Sequence, residues 1–182
     1  RWAPYLPISI NGKKVSPVAA FQTANRIAGA HGAGIGTHVL ENRFVGIKSR
    51  GIYEAPGMEL LGRSYEFLLQ FILDRRAREL YDHLAAVIAK QIYQGYWLDL
   101  ATKSALSALE PITKLATGTI TVRLYKGNVL FDTARDVPHS LYTDDASMEE
   151  VGTYDHVDAE GFVKVLGVSA KNFGVRQRPN VD

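Results

Sequence analysis

Read for its apolar and polar positions, the chain predicts hairpins at both ends and helices grouped between them. Leu6, Ile8 and Ile10 alternate with other residues, the period of a strand. Asn11-Gly12 behind them is a two-residue hairpin signal, so Lys13–Val15 is the predicted return strand. Ser16-Pro17 reads as an N-cap followed by proline at the first helical position. Val18, Phe21 and Ile27, with alanines between them, give that helix an apolar face, and Gly29 is its predicted stop. From Met58 to Leu73 the spacing is helical, with Leu61, Tyr65, Leu68 and Ile72 flanked by Leu69 and Leu73. Asp74 stands where a break or a new N-cap is expected. A second helix follows to about Gly95, using Ala77, Leu80, Leu84, Val87 or Ile88, and Gln91 or Ile92. A third, Thr102 to Leu115, uses Leu106, Leu109, Ile112 and Leu115, with Pro111 expected to kink or restart it.

The clearest strand comes next. Ile120, Val122 and Leu124 face one way and Thr119, Thr121, Arg123 and Tyr125 the other. Lys126-Gly127-Asn128 supplies the turn, and Val129–Phe131 the partner. Beyond Asp132 the sequence is rich in loop residues, with a solvated acidic run at Asp144, Asp145, Glu149 and Glu150. Phe162–Val168 is the last predicted strand. From Lys171 the tail is polar and basic, and is expected to be poorly ordered without a partner. Hairpins at both ends of the chain with a central group of amphipathic helices define an α+β fold, with a mixed or antiparallel sheet. The helices are too apolar to stand alone, so they pack on a core or on another subunit.

Composition narrows the function classes. The chain has 182 residues, room for one domain with a real core. Its 21 basic and 19 acidic residues leave a formal charge of +2. Such a balance, with aromatics not interleaved with cations, gives no footprint for nucleic acid or an anionic membrane. There is no cysteine, hence no disulfide framework and no thiolate chemistry, which suits a reducing compartment. No signal peptide and no apolar run of membrane-spanning length is present. The chain opens on Arg1 within a strand approach, and the expectation is a fragment or an excised domain.

One stretch concentrates the chemistry. Glu41 to Gly57, ENRFVGIKSRGIYEAPG, carries Arg43, Lys48 and Arg50, the carboxylates Glu41 and Glu54, and Tyr53, threaded with Phe44, Val45, Ile47 and Ile52. Two readings of the residues stand open. One is a surface strand with alternating charge, in which Glu41 pairs with Arg43 or Arg50 as a structural ion pair. The other is an extended segment and exit loop that converge on a ligand. Ala55-Pro56-Gly57 turns the chain sharply by fixing one backbone angle and freeing the next. Ahead of it, His31-Gly32-Ala33-Gly34-Ile35-Gly36 matches neither the dinucleotide nor the Walker spacing and reads as a turn with close backbone approach. His31 and His38 lack the nearby ligands that would complete a metal site. Tyr96-Trp97 at a helix end reads as core or interface.

The string ENRFVGIKSRGIYEAPG closely resembles the central motif of the argininosuccinate synthase family, and other segments agree in order from about Ile8 to Gly167. ISINGKKVSP resembles that family's opening strand, turn and helix start, and NRIAGAHG the helix into its glycine-rich turn. QIYQGYW resembles its YxGFW-type helix end, and TGTITVRLYKGNV its hairpin. SLY at 140–142 and DAEGF at 158–162 resemble closing segments. There are departures. The family reads HGxGRxD before ENR, whereas this chain has HGAGIGTH, with Gly36 and His38 near the places of Arg and Asp and one extra residue between His31 and Glu41. The tail is also short for the family's C-terminal arm.

The resemblance implies a C-terminal synthetase domain over residues 1–170 with a polar tail at 171–182. It implies part of an ATP-dependent carbon–nitrogen ligase of arginine biosynthesis, cytoplasmic and homotetrameric. Its substrates are L-citrulline, L-aspartate and ATP with magnesium. The ureido oxygen of citrulline attacks the α-phosphorus of ATP, releasing pyrophosphate, and the amine of aspartate then displaces AMP from citrullyl-adenylate. Positioning and charge stabilisation carry such a transfer. By resemblance Glu41 and Tyr53 grip the amino-acid end of citrulline. Arg43, Lys48 and Arg50 either lend positive potential to the adenylate or aspartate side of the cleft or, for at least two of them, hold the strand and loop by hydrogen bonds. No catalytic residue is assigned. The family's SGGxDT-type nucleotide loop has no counterpart in the 182 residues, so ATP binding falls to a preceding domain, and the isolated chain is expected to be inactive. The alternative is a non-catalytic homo-oligomerisation module.

Overall fold

Short-range signals build the two ends of the fold much as expected. In the computed structural model, which describes residues 1–143 and 155–176 (side chains of 37–39, 156, 175 and 176 excepted), the chain opens with two small antiparallel ladders. Strand β1 (Trp2–Ala3) pairs with β2 (Leu6–Pro7), and β3 (Ser9–Ile10) with β4 (Lys13–Lys14). Asn11 and Gly12 both take positive φ, 50° and 77°, the geometry of a type I′ turn. The turn at Lys126-Gly127, with φ of 46° and 81°, repeats it between β7 (Thr119–Tyr125) and β8 (Asn128–Arg135). Every described ladder is two-stranded and antiparallel. Trp2 and Gly118 exchange backbone hydrogen bonds of 2.7 and 3.2 Å, which joins the first ladder to the start of β7.

Helix α1 (Pro17–Gly29) begins where the cap predicts, with Ser16 Oγ accepting from Ala19 N–H. Its buried face is different from the expected one. Ala20, Ala24 and Ala28 are fully buried, whereas Val18 and Phe21 are exposed. Small residues four apart let α1 approach α2 (Pro56–Ile72) closely, and the larger side chains are turned outward. In α2 the predicted face holds: Leu61, Leu68, Leu69 and Ile72 are buried, joined by Leu60. Ile120, Val122 and Leu124 of β7 pack against this cluster, as their alternation predicts.

Asp74 caps α3 (Arg75–Tyr93), its carboxylate accepting from Ala77 N–H at 2.7 Å. Arg78 bonds Glu66 of α2 at 2.6 Å and Asp82 at 2.9 Å, tying the two helices together. No residue of α3 is fully buried, and Leu80 and Ile92 are exposed. Its half-buried side packs on α4 (Leu100–Thr113). Helix α4 is capped by Asp99 and buries Thr102, Ala105 and Leu109, while Leu106 is exposed. It runs through Pro111 and ends two residues later. The missing N–H therefore costs only a bond in the last turn.

These elements form one compact unit, Arg1–Leu141; Tyr142–Asp182 form a second. The second contains α5 (His156–Arg176), which replaces the strand expected at Phe162–Val168. The apolar positions there come in adjacent pairs, Phe162-Val163 and Val165-Leu166, rather than alternating as a half-buried strand requires. Asp155 accepts from Val157 N–H at 2.9 Å at the helix start, and Glu160 and Lys164 form an i,i+4 ion pair. Lys171–Arg176, expected to be poorly ordered, continue this helix. The acidic run from Asp144 lies outside the described residues. No described helix is long and apolar enough to cross a membrane.

Candidate functional site

The chemistry-rich stretch folds as a hairpin rather than as a single extended segment. Strand β5 (Ile35–Asn42) pairs antiparallel with β6 (Lys48–Glu54), so Glu41 and Tyr53 are each the last residue but one of their strands. The loop between them closes through Arg43 N–H to Ile47 C=O and Gly46 N–H to Arg43 C=O, both 2.9 Å, with Gly46 at φ 87°. It carries no Asn-Gly or Asp-Gly signal, which is why the pattern of the sequence did not reveal the turn.

The register of this hairpin changes once. His38 pairs with Gly51, but Glu41 pairs with Ser49. Two residues of β5, 39 and 40, therefore oppose one of β6, a β-bulge, within the segment where the sequence has one residue more than the resembled family. Side chains alternate along a strand, so taking up one residue moves Glu41 onto the face shared by Ser49, Gly51 and Tyr53. The bulge aims the carboxylate.

Two hydroxyls then converge on it. Tyr53 O–H donates to Glu41 Oε2 at 2.5 Å, and Ser49 Oγ–H donates to Oε1 at 3.1 Å. The Tyr53 phenol is held above its ordinary pKa, first by this bond to Glu41, then by desolvation and by the charge of Glu41, with Arg43 nearby acting in the opposite direction. Glu41 and Ser49 are half-buried and Tyr53 is exposed along one side. The result is a small open platform with acceptor oxygens and a negative charge at its centre. Ser49 was missed in the sequence; its place four residues before Tyr53 on one strand face is the signal, legible once the hairpin is known.

The cations surround this platform unevenly. Lys48 Nζ donates to Asn42 Oδ1 at 2.8 Å and so holds the loop. The side chains of Arg43 and Arg50 are exposed and make no hydrogen bond or ion pair among the described residues. The expectation that at least two of the three brace the segment is thus corrected to one, because the hairpin's backbone ladder already supplies the bracing. From the end of α3, Tyr93 O–H donates to Asn42 C=O at 3.4 Å, and just beyond that helix Tyr96 meets Phe44 edge-on with centroids 6.4 Å apart. Tyr96 and Trp97 are exposed rather than in the core.

The base of the hairpin is clamped by backbone contacts. Ala55 N–H donates to Gly34 C=O at 2.8 Å, and Gly127 N–H to His31 C=O at 2.9 Å. The glycine-rich turn is therefore the close backbone approach that its composition predicts. Pro56 takes the first position of α2. Gly57 serves packing rather than backbone freedom: its N–H donates to Asn25 Oδ1 at 2.7 Å, and a Cβ there would lie 2.5 Å from that oxygen.

Comparison with known proteins gives this hairpin a context. Residues 2–173 match the family model described as arginosuccinate synthase C-terminal domain. Over 167 residues the chain is 38% identical to the argininosuccinate synthase of Rhodopirellula baltica, covering 91% of this chain and 41% of that protein. It is 40% identical over 167 residues to the chloroplastic argininosuccinate synthase of Arabidopsis thaliana, covering 91% and 33%. With the argininosuccinate synthase of Nitratidesulfovibrio vulgaris strain DP4 it shares 38% identity over 168 residues, covering 92% and 42%. The chain spans about two fifths or less of the length of the curated relatives it matches.

Proposed function

We propose, from the premise that this chain belongs to the arginosuccinate synthase C-terminal domain family, that its Glu41 platform binds the ammonium end of L-citrulline within a ligase that joins citrulline to L-aspartate at the expense of ATP. The single observation that carries this reading is the direction of the hydroxyl protons. Ser49 and Tyr53 both donate to Glu41, so the group presents acceptors and negative charge. An ammonium, which brings N–H donors and positive charge, is the complement of such a group, and a carboxylate or phosphate is repelled by it. The exposed Arg43 and Arg50 stand on the same hairpin, where they lend positive potential to the carboxylate end of the same zwitterion or to an anionic co-substrate.

In this reading the chain's own share of the chemistry is placement. Holding the amino-acid end of citrulline fixes the approach of a ureido oxygen several bonds away, and orientation of that kind lowers the barrier without any covalent role for the protein. ATP with magnesium and L-aspartate are the co-substrates, bound mainly by residues beyond this chain. A cytoplasmic homotetramer is the assembly we infer. The apolar side chains of Leu40, Phe44, Val45, Ile47 and Ile52, exposed on the hairpin, support a role in contacts made by the complete protein.

The test is Glu41→Gln in the full-length protein. Removing the charge while keeping the shape should raise the KM for citrulline ten- to hundredfold, the equivalent of about 1.5–3 kcal/mol for a hydrogen bond to a charged group. The KM values for ATP and aspartate should stay where they were. An unchanged citrulline KM would refute the assignment. The 182 residues alone are expected to release no AMP from ATP, citrulline and aspartate in a radiolabel assay; measurable AMP would overturn the view that the nucleotide site lies elsewhere.

A further inference from the structure

We propose that Gly51 is a positioning residue of the Glu41 platform: by carrying no side chain, it lets the Tyr53 ring lie back along β6 and deliver its hydroxyl to Glu41. The strand geometry makes the requirement plain. Glu41 is the register partner of Ser49, and Ser49 and Tyr53 are four residues apart on one face, about 13 Å at the rise of a β-strand. A tyrosine standing upright on the sheet would not reach that far. The ring has to lean along the strand, and the position it crosses is 51.

The structure records that crossing. A Cβ built on Gly51 would lie 2.7 Å from Tyr53 Cε2 and 2.9 Å from its hydroxyl oxygen. Both distances are below any real contact of a methyl group. The colliding atoms are the far end of one side chain, not backbone, so the strain has an easy release: Tyr53 rotates away and the bond to Glu41 is broken. Gly51 is absent from the glycines with positive φ, so alanine fits the strand backbone itself. Substitution should therefore leave the fold intact and move only the phenol. Position 36 supplies the contrast. Gly36 is the register partner of Tyr53, yet a Cβ there would meet nothing within 4 Å.

The consequence for citrulline rests on the reading given above, but the positioning itself does not. In the full-length protein labelled with 13C at tyrosine Cζ, the Tyr53 resonance is identified by its loss in Tyr53→Phe and titrated with pH. Its pKa stands above the ordinary tyrosine value in the unmodified protein, raised first by the hydrogen bond to Glu41, then by desolvation and by the neighbouring Glu41 and Tyr93, with Arg43 opposing. Gly51→Ala should bring it back toward the ordinary value at an unchanged melting temperature, and Gly36→Ala should leave it alone. Gly51→Ala should also raise the citrulline KM by the same factor as Tyr53→Phe, about tenfold, and add nothing in the Tyr53→Phe background. A Tyr53 pKa unmoved by Gly51→Ala overturns the positioning role, whatever happens to KM. Additive losses in the double variant overturn it as well. A pKa that falls while KM is constant upholds the positioning role and removes citrulline from the site.

Discussion

Leu68→Ala is expected to destabilise the Arg1–Leu141 unit by about 3–5 kcal/mol, at the upper end of the range for buried leucines. Leu68 is fully excluded from solvent, in a cluster that includes Trp2, Ala24, Ala28, Leu69 and Ala116. Its neighbours leave little room to collapse. A Cβ on Gly118 would lie 3.0 Å from Leu68 Cδ1 and 2.8 Å from Val137, so the leucine already occupies the space that a side chain at 118 would take. Gly118 is in turn fixed by its two backbone bonds to Trp2. A cavity opened here is bounded by hydrogen-bonded backbone, which cannot move in to fill it. Leu80 on α3 is the control: it has the same side chain but is half exposed, and Leu80→Ala should cost about 1 kcal/mol or less. Urea unfolding of both variants checks the comparison. Equal losses would mean that α2 is not the centre of the core.

The same two residues show what could be read in the sequence. Leu68 was placed in the core by spacing alone, because a helix with a wide apolar stripe gives itself away locally. The caps at Ser16 and Asp74 and the turns at Asn11-Gly12 and Lys126-Gly127 were legible for the same reason: each is a backbone requirement met by residues within four positions. Leu80 was placed on an apolar face that proved half exposed, since periodicity shows which way a helix points but not whether anything covers it. The alanine face of α1 was hidden because close helix approach selects for small residues, which carry little hydrophobic signal.

The site was the least legible part. Glu41 and Tyr53 are twelve residues apart, and along one extended segment that is roughly 40 Å. Only a hairpin brings them into contact, and only the bulge between His38 and Glu41 turns the carboxylate to the tyrosine's face. Neither has a propensity signal, so resemblance picked the pair and geometry joined it.

Gly34→Ala is the second change expected to have a large effect, about 2–5 kcal/mol, because two penalties act at one position. Gly34 has φ 79°, a conformation that costs an alanine about 1–2 kcal/mol. Its Cβ would also lie 2.6 Å from Pro56 Cα and 2.7 Å from the Ala55 carbonyl oxygen. Both are backbone atoms at the entry to α2, so the clash has no side chain to absorb it, and overpacking of this kind costs about 1–3 kcal/mol more. Gly32 separates the two terms. Its φ is 69°, but nothing lies within 4 Å of the added methyl group, so Gly32→Ala should show the conformational penalty alone. Thermal melts of the two variants give the difference, and identical shifts would show that the contact with Ala55 and Pro56 contributes nothing. The expected damage extends beyond stability. Ala55 N–H bonds to Gly34 C=O, and these residues lie at the base of β5 and β6. Forcing them apart opens the ladder from the end where Gly36 pairs with Tyr53. Gly34→Ala should therefore also lower the raised pKa of Tyr53, through the backbone, where Gly51→Ala does so through the ring.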